Sequence, residues 1–355
     1  MSTLVFTLVW MTTTTTSPWE PVRLPSWSPP AAERIGRWIR DATMPGPAYI
    51  PRHARIAALD LDGTLVVEKP DYFHGLVSKE FIRARVARKP ELASHPLARA
   101  VLDGDEKTLV KNLKEYLLFS MEGETWETVR DFTVRVGREH LNPLFSKPAA
   151  DLIYLPMIEL VEALRERDFE VFVITTAQQD VAAAFLWDTL RIDPRHVLGS
   201  GVAYEWDFEA GTGRRTGRFL EPLCHGAGKA VRIWDRIGAW PVFAAGNSTN
   251  DIDMLSSTAL SGYRTLALAL VHDHPDEVVY GKPEFLEVAE KRGWMVVSMK
   301  RDFLRLWGRP AAVSVPDPAS RALAAGWWFL WLGAAAVAVG AAVLVRRRRM
   351  RRSSL

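Results

Sequence analysis

The chain has 355 residues, which is enough for one large domain or for two of ordinary size with a buried core. Its single cysteine, Cys224, excludes an intrachain disulfide framework and a metal site built from several cysteines. The formal net charge is +3, but six arginines lie in the last ten residues, and removing their six charges leaves −3. A mildly acidic body gives no support to nucleic-acid binding, so we expect no nucleic-acid partner.

The N-terminal residues 1–23 allow two interpretations. Residues 4–11 are apolar, as in the core of a signal peptide, but no Lys or Arg precedes them and a threonine run follows. The segment is therefore a possible signal or leader, or else a disordered tail. Residues 24–53 are a proline-rich lead-in with one amphipathic helix at about residues 31–42.

The first predicted strand delivers two aspartates into a turn. Residues 55–67 read RIAALDLDGTLVV, in which the apolar run 56–59 suits a buried strand and Gly63 and Thr64 close the turn. In an open parallel sheet, ligands bind at the carboxyl ends of the strands, so Asp60 and Asp62 are candidate site residues. The alternative is an ordinary solvated Asp-rich turn.

A helical insertion is predicted after this strand. Apolar residues recur at three- and four-residue spacing between residues 72 and 142, without strand-like alternation. We assign residues 72–150 as a helical cap. Its aromatic residues Tyr72, Phe73 and Trp126 are expected in the core rather than in contact with substrate.

The parallel-sheet pattern resumes after the insertion. It predicts helices and strands in alternation, and then a hairpin with its turn at residues 211–213. The predicted helices span about residues 156–167, 179–190 and 229–237. The predicted strands span about residues 171–174, 197–202, 242–245, 265–271 and 295–299.

The C-terminal end predicts a membrane anchor. Residues 322–345 carry no charge over 24 residues, which suffices for a transmembrane helix. Three tryptophans lie at one end and the arginine run at the other, so the positive-inside rule predicts a cytoplasmic tail at 346–355 and a catalytic body on the outer side. Residues 306–321 form a stalk. If export fails, the body would instead be cytoplasmic, and a buried core helix is the other alternative for 322–345.

Four features fall at the carboxyl ends of predicted strands or at adjacent helix starts. They are Asp60 with Asp62, Thr175, Lys229, and Asn247 with Asp251. This set suits phosphoryl transfer through a covalent intermediate. A carboxylate at Asp60 can attack phosphorus, and Asp62 can act as general acid and base. Thr175 and Lys229 supply a hydroxyl donor and a positive charge for the phosphoryl oxygens.

The same set of residues predicts a Mg²⁺ site. Its oxygen donors are the Asp60 carboxylate, the backbone carbonyl of Asp62, and the side chains of Asn247 and Asp251. Hard oxygen donors of this kind, with water completing six-coordination, are what Mg²⁺ prefers.

In these motifs the chain resembles the haloacid dehalogenase superfamily over about residues 50–300. The matches are DLDGT, the strand end at Thr175, Lys229 and GNSTNDIDML, residues 246–255. The resemblance implies an α/β fold with a Rossmann-like parallel-sheet core, at residues 54–71 and 151–305, and an α-helical cap inserted after the first strand. In addition to this core and cap, the chain is predicted to have a C-terminal transmembrane helix. The acid at Asp62 is similar to that of the phosphatase branch.

A narrower likeness is to phosphoserine-phosphatase-like hydrolases, many of them exported. It is carried by LPSW, VEKP, KAVRIWDRIG, AAGNSTNDIDML and GWMVVSMKRDF. Two departures from the superfamily pattern stand out. Asn247 replaces a common aspartate, which removes one negative charge from the site. The second motif, ITTAQQD, lacks the usual glycines, which alters the pocket near Thr176 and Gln178.

The sequence thus predicts a Mg²⁺-dependent phosphatase acting on a small phosphorylated substrate. Two alternatives stay open: a catalytically lapsed surface binding protein on the same fold, and a phosphotransferase to an acceptor alcohol. Neither the substrate nor the oligomeric state follows from the sequence. His225, His272 and His274 are either site residues or solvated loop residues. Arg214 and Arg215 are expected at an exposed turn.

Overall fold

The structure is a computed structural model, and it describes residues 21–308. The helices are α1 Pro29–Thr43, α2 Phe73–Arg88, α3 Pro96–Asp103, α4 Glu106–Lys111, α5 Leu113–Met121, α6 Trp126–Glu139, α7 Leu155–Glu166, α8 Gln179–Leu190, α9 Ala227–Ile237, α10 Ile252–Ser257, α11 Pro283–Lys291 and α12 Met299–Asp302. The strands are β1 Ile56–Leu59, β2 Leu141–Asn142, β3 Lys147–Pro148, β4 Glu170–Gln178, β5 Val197–Ser200, β6 Val202–Asp207, β7 Thr212–Phe219, β8 Phe243–Gly246, β9 Leu266–Val271 and β10 Met295–Ser298.

A six-stranded parallel sheet forms the centre of the fold, in the order β10-β9-β8-β1-β4-β5. The chain builds outward from β1 through β4 to β5, and then crosses over to β8 on the other side of β1. The order therefore reverses between β1 and β8, which is where open α/β sheets bind ligands at their carboxyl ends. The predicted parallel α/β sheet is confirmed.

Burial explains why β1 lies at the centre. All four of its residues are buried, and they pair with β4 on one side and with β8 on the other. Leu59 is level with both Val173 and Ala245. The residues that follow Leu59, Val173 and Ala245 consequently emerge at one edge of the sheet.

The segment between β1 and β4 is mainly helical, as its periodicity predicts. It contains α2 to α6 and then the small antiparallel pair of β2 and β3, which the periodicity does not predict. The helix α6 lies close to α8 because Gly137 has no side chain: a Cβ there would be 3.2 Å from the Phe185 ring. The Phe73 and Phe185 rings also meet, with centroids 4.3 Å apart.

The predicted hairpin is formed by β6 and β7, and it attaches to the helical insertion. The backbone of Arg215 on β7 accepts from Gly123 N and donates to Glu124 O, both at 2.9 Å. The helical insertion and the hairpin, which leave the sheet at different points in the chain, are thus joined to each other through main-chain hydrogen bonds.

Within residues 21–308, no helix is both long and apolar enough to cross a bilayer. The predicted transmembrane helix at 322–345 and the basic tail at 346–355 lie outside the described residues. So do nearly all of the predicted leader and stalk. The domain boundaries stay predictions.

Candidate active site

Asp60 and Asp62 follow β1 and are both nearly buried, with 6% and 8% of their surface exposed. The turn after them depends on Gly63, which has a φ of +77°. A Cβ at Gly63 would lie 2.0 Å from Asn247 Nδ2, so a side chain there would displace Asn247. The backbone N–H of Asp60 donates to Ala245 O at 3.0 Å, which fixes the start of the turn against β8.

Lys229 connects the two halves of the site. It lies in the first turn of α9, is 1% exposed, and reaches Asp60 Oδ1 at 2.5 Å and Asp251 Oδ1 at 2.6 Å. Burial lowers the pKa of Lys229, but the Asp251 and Asp60 carboxylates outweigh burial and raise that pKa above its ordinary value. Lys229 is therefore a fixed cation between two carboxylates.

Asp251 closes the loop after β8. Its Oδ2 accepts from the backbone N–H groups of Asn247 and Ser248, at 3.1 and 3.0 Å, and from Ser248 Oγ at 3.0 Å. The Asp251 side chain can lie close to the backbone of residue 246 because that residue is glycine: a Cβ there would lie 2.5 Å from Asp251 Cβ. Since its Oδ1 meets Lys229, Asp251 has partners on both oxygens, and its predicted role as a metal ligand stays a prediction.

The two aspartates after β1 differ electrostatically. Burial raises the pKa of Asp60 well above its ordinary value, as does the Asp251 charge, while Lys229 opposes both. Burial, with help from the Glu68 carboxylate, raises the pKa of Asp62 to about 7. Asp62 Oδ1 is buried and has no hydrogen-bond partner in the described part of the chain. Asp62 can therefore hold a proton near neutral pH and has an oxygen free to donate it.

Thr64 joins Asp60 to Asn247. Its Oγ1 lies 3.4 Å from Asp60 Oδ2 and 3.5 Å from Asn247 Oδ1. Thr175 is fully buried on β4, and its Oγ1 accepts from Ala177 N at 3.1 Å. Among the described residues, Thr175 makes no hydrogen bond with the side chain of another predicted site residue. Direct contacts thus unite Asp60, Lys229 and Asp251, while strand register places Thr175 at the same edge.

A buried polar network supports Asn247, and its extent was not evident in the sequence. Asn247 Nδ2 is 3.2 Å from His272 Nε2, and His272 Nδ1 is 3.1 Å from Glu277 Oε2. The hydroxyl of Tyr154 donates to Glu277, and that of Tyr280 lies 3.0 Å from His272 Nε2. If His272 Nδ1 donates to Glu277, its Nε2 accepts, and the Asn247 amide is held with Oδ1 toward Thr64 and Asp60. The only signal in the sequence is VHDHPDE, with an acid five residues after His272.

The residues present fit a Mg²⁺ ion. Among residues 21–308, no group of three or more His, Cys, Asp or Glu side chains is arranged to hold a metal. A cation here would rely on Asp60, the Asn247 amide oxygen and the Asp62 backbone carbonyl, with water and substrate oxygens. Mg²⁺ commonly binds through one or two carboxylates and keeps several waters, so this sparse set of hard donors suffices.

Two minor predictions were wrong. Tyr72 is 49% exposed rather than in the core, whereas Phe73 is buried and Trp126 packs partly buried against the core. Arg215 is 2% exposed, because β7 turns it inward to an ion pair with Asp180 at 3.0 Å.

The two remaining histidines lie in loops. His225 is exposed. His274 is half-buried and accepts from Asp276 N at 3.1 Å. Among the described residues, neither side chain hydrogen-bonds to a predicted site residue, although the His274 carbonyl accepts from Glu277 N at 3.1 Å, so their predicted alternative as loop residues fits the geometry better.

Comparison with protein families matches residues 57–256 to the haloacid dehalogenase-like hydrolase model. No match was found among curated proteins. A conserved functionally unknown protein from Anaerococcus prevotii DSM 20548 aligns over 82% of this chain and 99% of its own, with 14% identity and a TM-score of 0.53. This likeness shows a shared fold.

Two further solved structures align less closely. A phosphoserine phosphohydrolase-like protein from Francisella tularensis subsp. tularensis SCHU S4 has 17% identity and a TM-score of 0.38 over 70% of this chain and 95% of its own. A probable phosphoserine phosphatase from Vibrio cholerae has 16% identity and a TM-score of 0.37 over 70% of this chain and 62% of its own.

Proposed function

Because the chain belongs to the haloacid dehalogenase-like hydrolase family, whose model covers residues 57–256, we propose that it is a Mg²⁺-dependent phosphomonoesterase. The observation that carries this proposal is the contrast between two neighbouring aspartates. Asp60 contacts the Lys229 ammonium at 2.5 Å, whereas Asp62 has a free buried oxygen and a pKa of about 7. One is equipped as a nucleophile and the other as a proton donor.

In the first step, an Asp60 carboxylate oxygen attacks phosphorus and the bond from phosphorus to the ester oxygen breaks. Asp62 gives its proton to that departing oxygen, so the alcohol leaves neutral and an aspartyl-phosphate is left on Asp60. In the second step, Asp62 takes a proton from water as the water oxygen attacks phosphorus. The bond to Asp60 then breaks, which releases phosphate and restores both side chains.

The other residues support these steps by charge and position. Lys229 offsets negative charge on the transferring phosphoryl oxygens, and Thr175 offers a hydroxyl at the same edge. Bound Mg²⁺, held by Asp60, Asn247 and the Asp62 carbonyl, would supply further positive charge to phosphate and nucleophile. Asp251 fixes Lys229 and the loop after β8.

The test is hydrolysis of 4-nitrophenyl phosphate by the full chain with Mg²⁺ and with chelator. We expect hydrolysis with Mg²⁺, near-complete loss with EDTA, and recovery when Mg²⁺ is restored, because without the cation the Asp60 carboxylate and the phosphate dianion repel one another. Equal rates in both conditions would refute metal dependence. Failure across a broad panel of phosphate esters would favour the binding-protein alternative, and phosphoglycerol formed in added glycerol would favour phosphotransfer.

A membrane location is also part of the proposal. Its support is the uncharged stretch at residues 322–345 followed by the arginine run. We expect the chain to sediment with membranes and to be released from them when residues 322–355 are deleted. Protease added to intact cells should remove the body. A full-length protein found in the soluble fraction would disprove the anchor, and a protected body would place it on the cytoplasmic side.

A further inference from the structure

A cavity lies at the amino-end edge of the sheet, opposite the carboxyl-end edge that carries Asp60. It has a volume of about 360 Å³ and is lined by residues of α1, the end of α10, the start of β9 and the turn before β10. Leu266 begins β9 and Trp294 immediately precedes β10, so the cavity is at the amino ends of these strands. A strand of six residues spans roughly 20 Å, which separates this cavity from the carboxyl edge.

The lining of this cavity is basic. Arg34, Arg264 and Arg292 contribute to it, and no Asp or Glu does. Arg264 pairs with Asp41 at 2.9 Å, but both side chains are well exposed, so water screens that attraction. The carboxyl ends of α10 and α11 also lie nearby. Each carries a partial negative charge of about half an elementary charge, which offsets part of the positive charge of the arginines. For Arg34 and Arg292, the described residues provide no side-chain hydrogen bond or ion pair.

Two polar groups in the same lining also lack partners. Trp38 is 4% exposed, and its indole Nε1 is buried without an acceptor among the described residues. Ser256 Oγ is also buried and has no hydrogen-bond partner among the described residues. An indole N–H can only donate, and a buried donor without an acceptor is costly. Neither atom has accessible surface, so what the cavity presents to a ligand is the guanidinium groups of Arg34, Arg264 and Arg292, all exposed, with no side-chain carboxylate in the lining to oppose them.

We propose that this cavity binds a small organic phosphate as a ligand, separately from the catalytic site. A phosphate group offers several acceptor oxygens to guanidinium donors, and arginine forms strong paired hydrogen bonds with it. The volume is at the lower end of small-molecule sites and exceeds what inorganic phosphate fills. Because Asp60 is at the other edge, a phosphate ester bound here is not hydrolysed.

The experiment is isothermal titration of the full chain with glycerol 2-phosphate in EDTA, which removes Mg²⁺ and turnover. We expect binding that persists in Asp60→Asn and weakens by about tenfold or more in the double variant Arg34→Ala/Arg292→Ala. The matched control is Arg37→Ala, which removes an exposed arginine from the same helix that pairs with Glu33 and does not line the cavity. It should bind as the unsubstituted chain does.

Thermal unfolding of each variant checks that the exposed substitutions leave the fold intact. Three results would overturn the proposal. The first is no binding in EDTA, and the second is equal weakening by Arg37→Ala. The third is equal binding of glycerate, a three-carbon anion that carries a carboxylate and no phosphate, which would show that the ligand class is wrong.

Discussion

Replacing Asp60 with asparagine is expected to lower phosphomonoester hydrolysis by on the order of 10⁴-fold to 10⁶-fold, the range that follows loss of a nucleophile or its partner in other hydrolases. The amide keeps the size of the side chain and one acceptor oxygen, but its oxygen is too weak a nucleophile to form the acyl phosphate. The measurement is the rate of 4-nitrophenyl phosphate hydrolysis at saturating Mg²⁺. Acid-stable labelling of the chain by a phosphate ester should disappear as well.

The fold of this variant should survive, which separates loss of chemistry from loss of structure. Burial and the Asp251 charge raise the pKa of Asp60 and Lys229 opposes them, so a neutral amide at this position removes a buried charge as well as one of the two partners of Lys229. Lys229 retains its 2.6 Å contact with Asp251 when Asp60 is neutral. We therefore expect a melting temperature equal to or above that of the unsubstituted chain. Residual activity within tenfold of the unsubstituted chain would exclude Asp60 as the nucleophile.

A contrasting variant, Lys229→Met, tests the same electrostatics from the other side. It would leave Asp60 and Asp251 buried without their cation, an arrangement that typically costs about 3 to 5 kcal/mol. Its loss of activity should therefore be accompanied by a lower free energy of unfolding, measured by urea titration. If Lys229→Met were as stable as Asp60→Asn, the ion pairs would not hold the site together.

The sheet and the positions of its site residues could be predicted from local patterns. Buried strands such as β1 and β8 are continuous apolar runs, and parallel register brings their carboxyl ends together whatever the details of packing. The pairs Asp60 with Asp62 and Asn247 with Asp251 each lie within a few residues of such an end. For that reason their proximity follows from the strand order alone.

Contacts made across long sequence separations could not be predicted. Arg215 lies in a glycine- and arginine-rich stretch that is typical of an exposed turn. However, β7 pairs with residues 123–125 of the insertion, and this pairing directs the Arg215 side chain to Asp180. The network from Asn247 through His272 to Glu277 and Tyr154 joins three separate segments, and only the segment of Asn247 belongs to a motif identified in the sequence. Tyr72 looks apolar in sequence, yet its position before α2 leaves it half exposed.

Asp62→Asn should have an effect that depends on the leaving group, and this distinguishes a general acid from a structural carboxylate. General acid catalysis contributes about 10²-fold to 10⁴-fold, and we expect a loss of that size with glycerol 2-phosphate. The loss with 4-nitrophenyl phosphate should be smaller in the first step, because the nitrophenolate ion leaves without a proton. Rapid mixing should then show a burst of nitrophenol, since the second step still lacks its base and the aspartyl-phosphate accumulates.

Glu68→Gln is the matched control for Asp62→Asn, since Glu68 is the other buried carboxyl beside Asp62 and its charge helps to raise the pKa of Asp62. Removing that charge lowers the pKa of Asp62 but leaves its carboxyl in place, so Glu68→Gln should retain hydrolysis of both esters without a burst.

The structural reason why Asp62→Asn should differ from Glu68→Gln is Asp62 Oδ1, which is buried and has no partner in the described chain. An oxygen in that condition gains a hydrogen bond only when substrate arrives, so its loss should affect turnover more than stability. Equal losses in the rate of the first step with both esters in Asp62→Asn would refute the assignment of Asp62 as the proton donor.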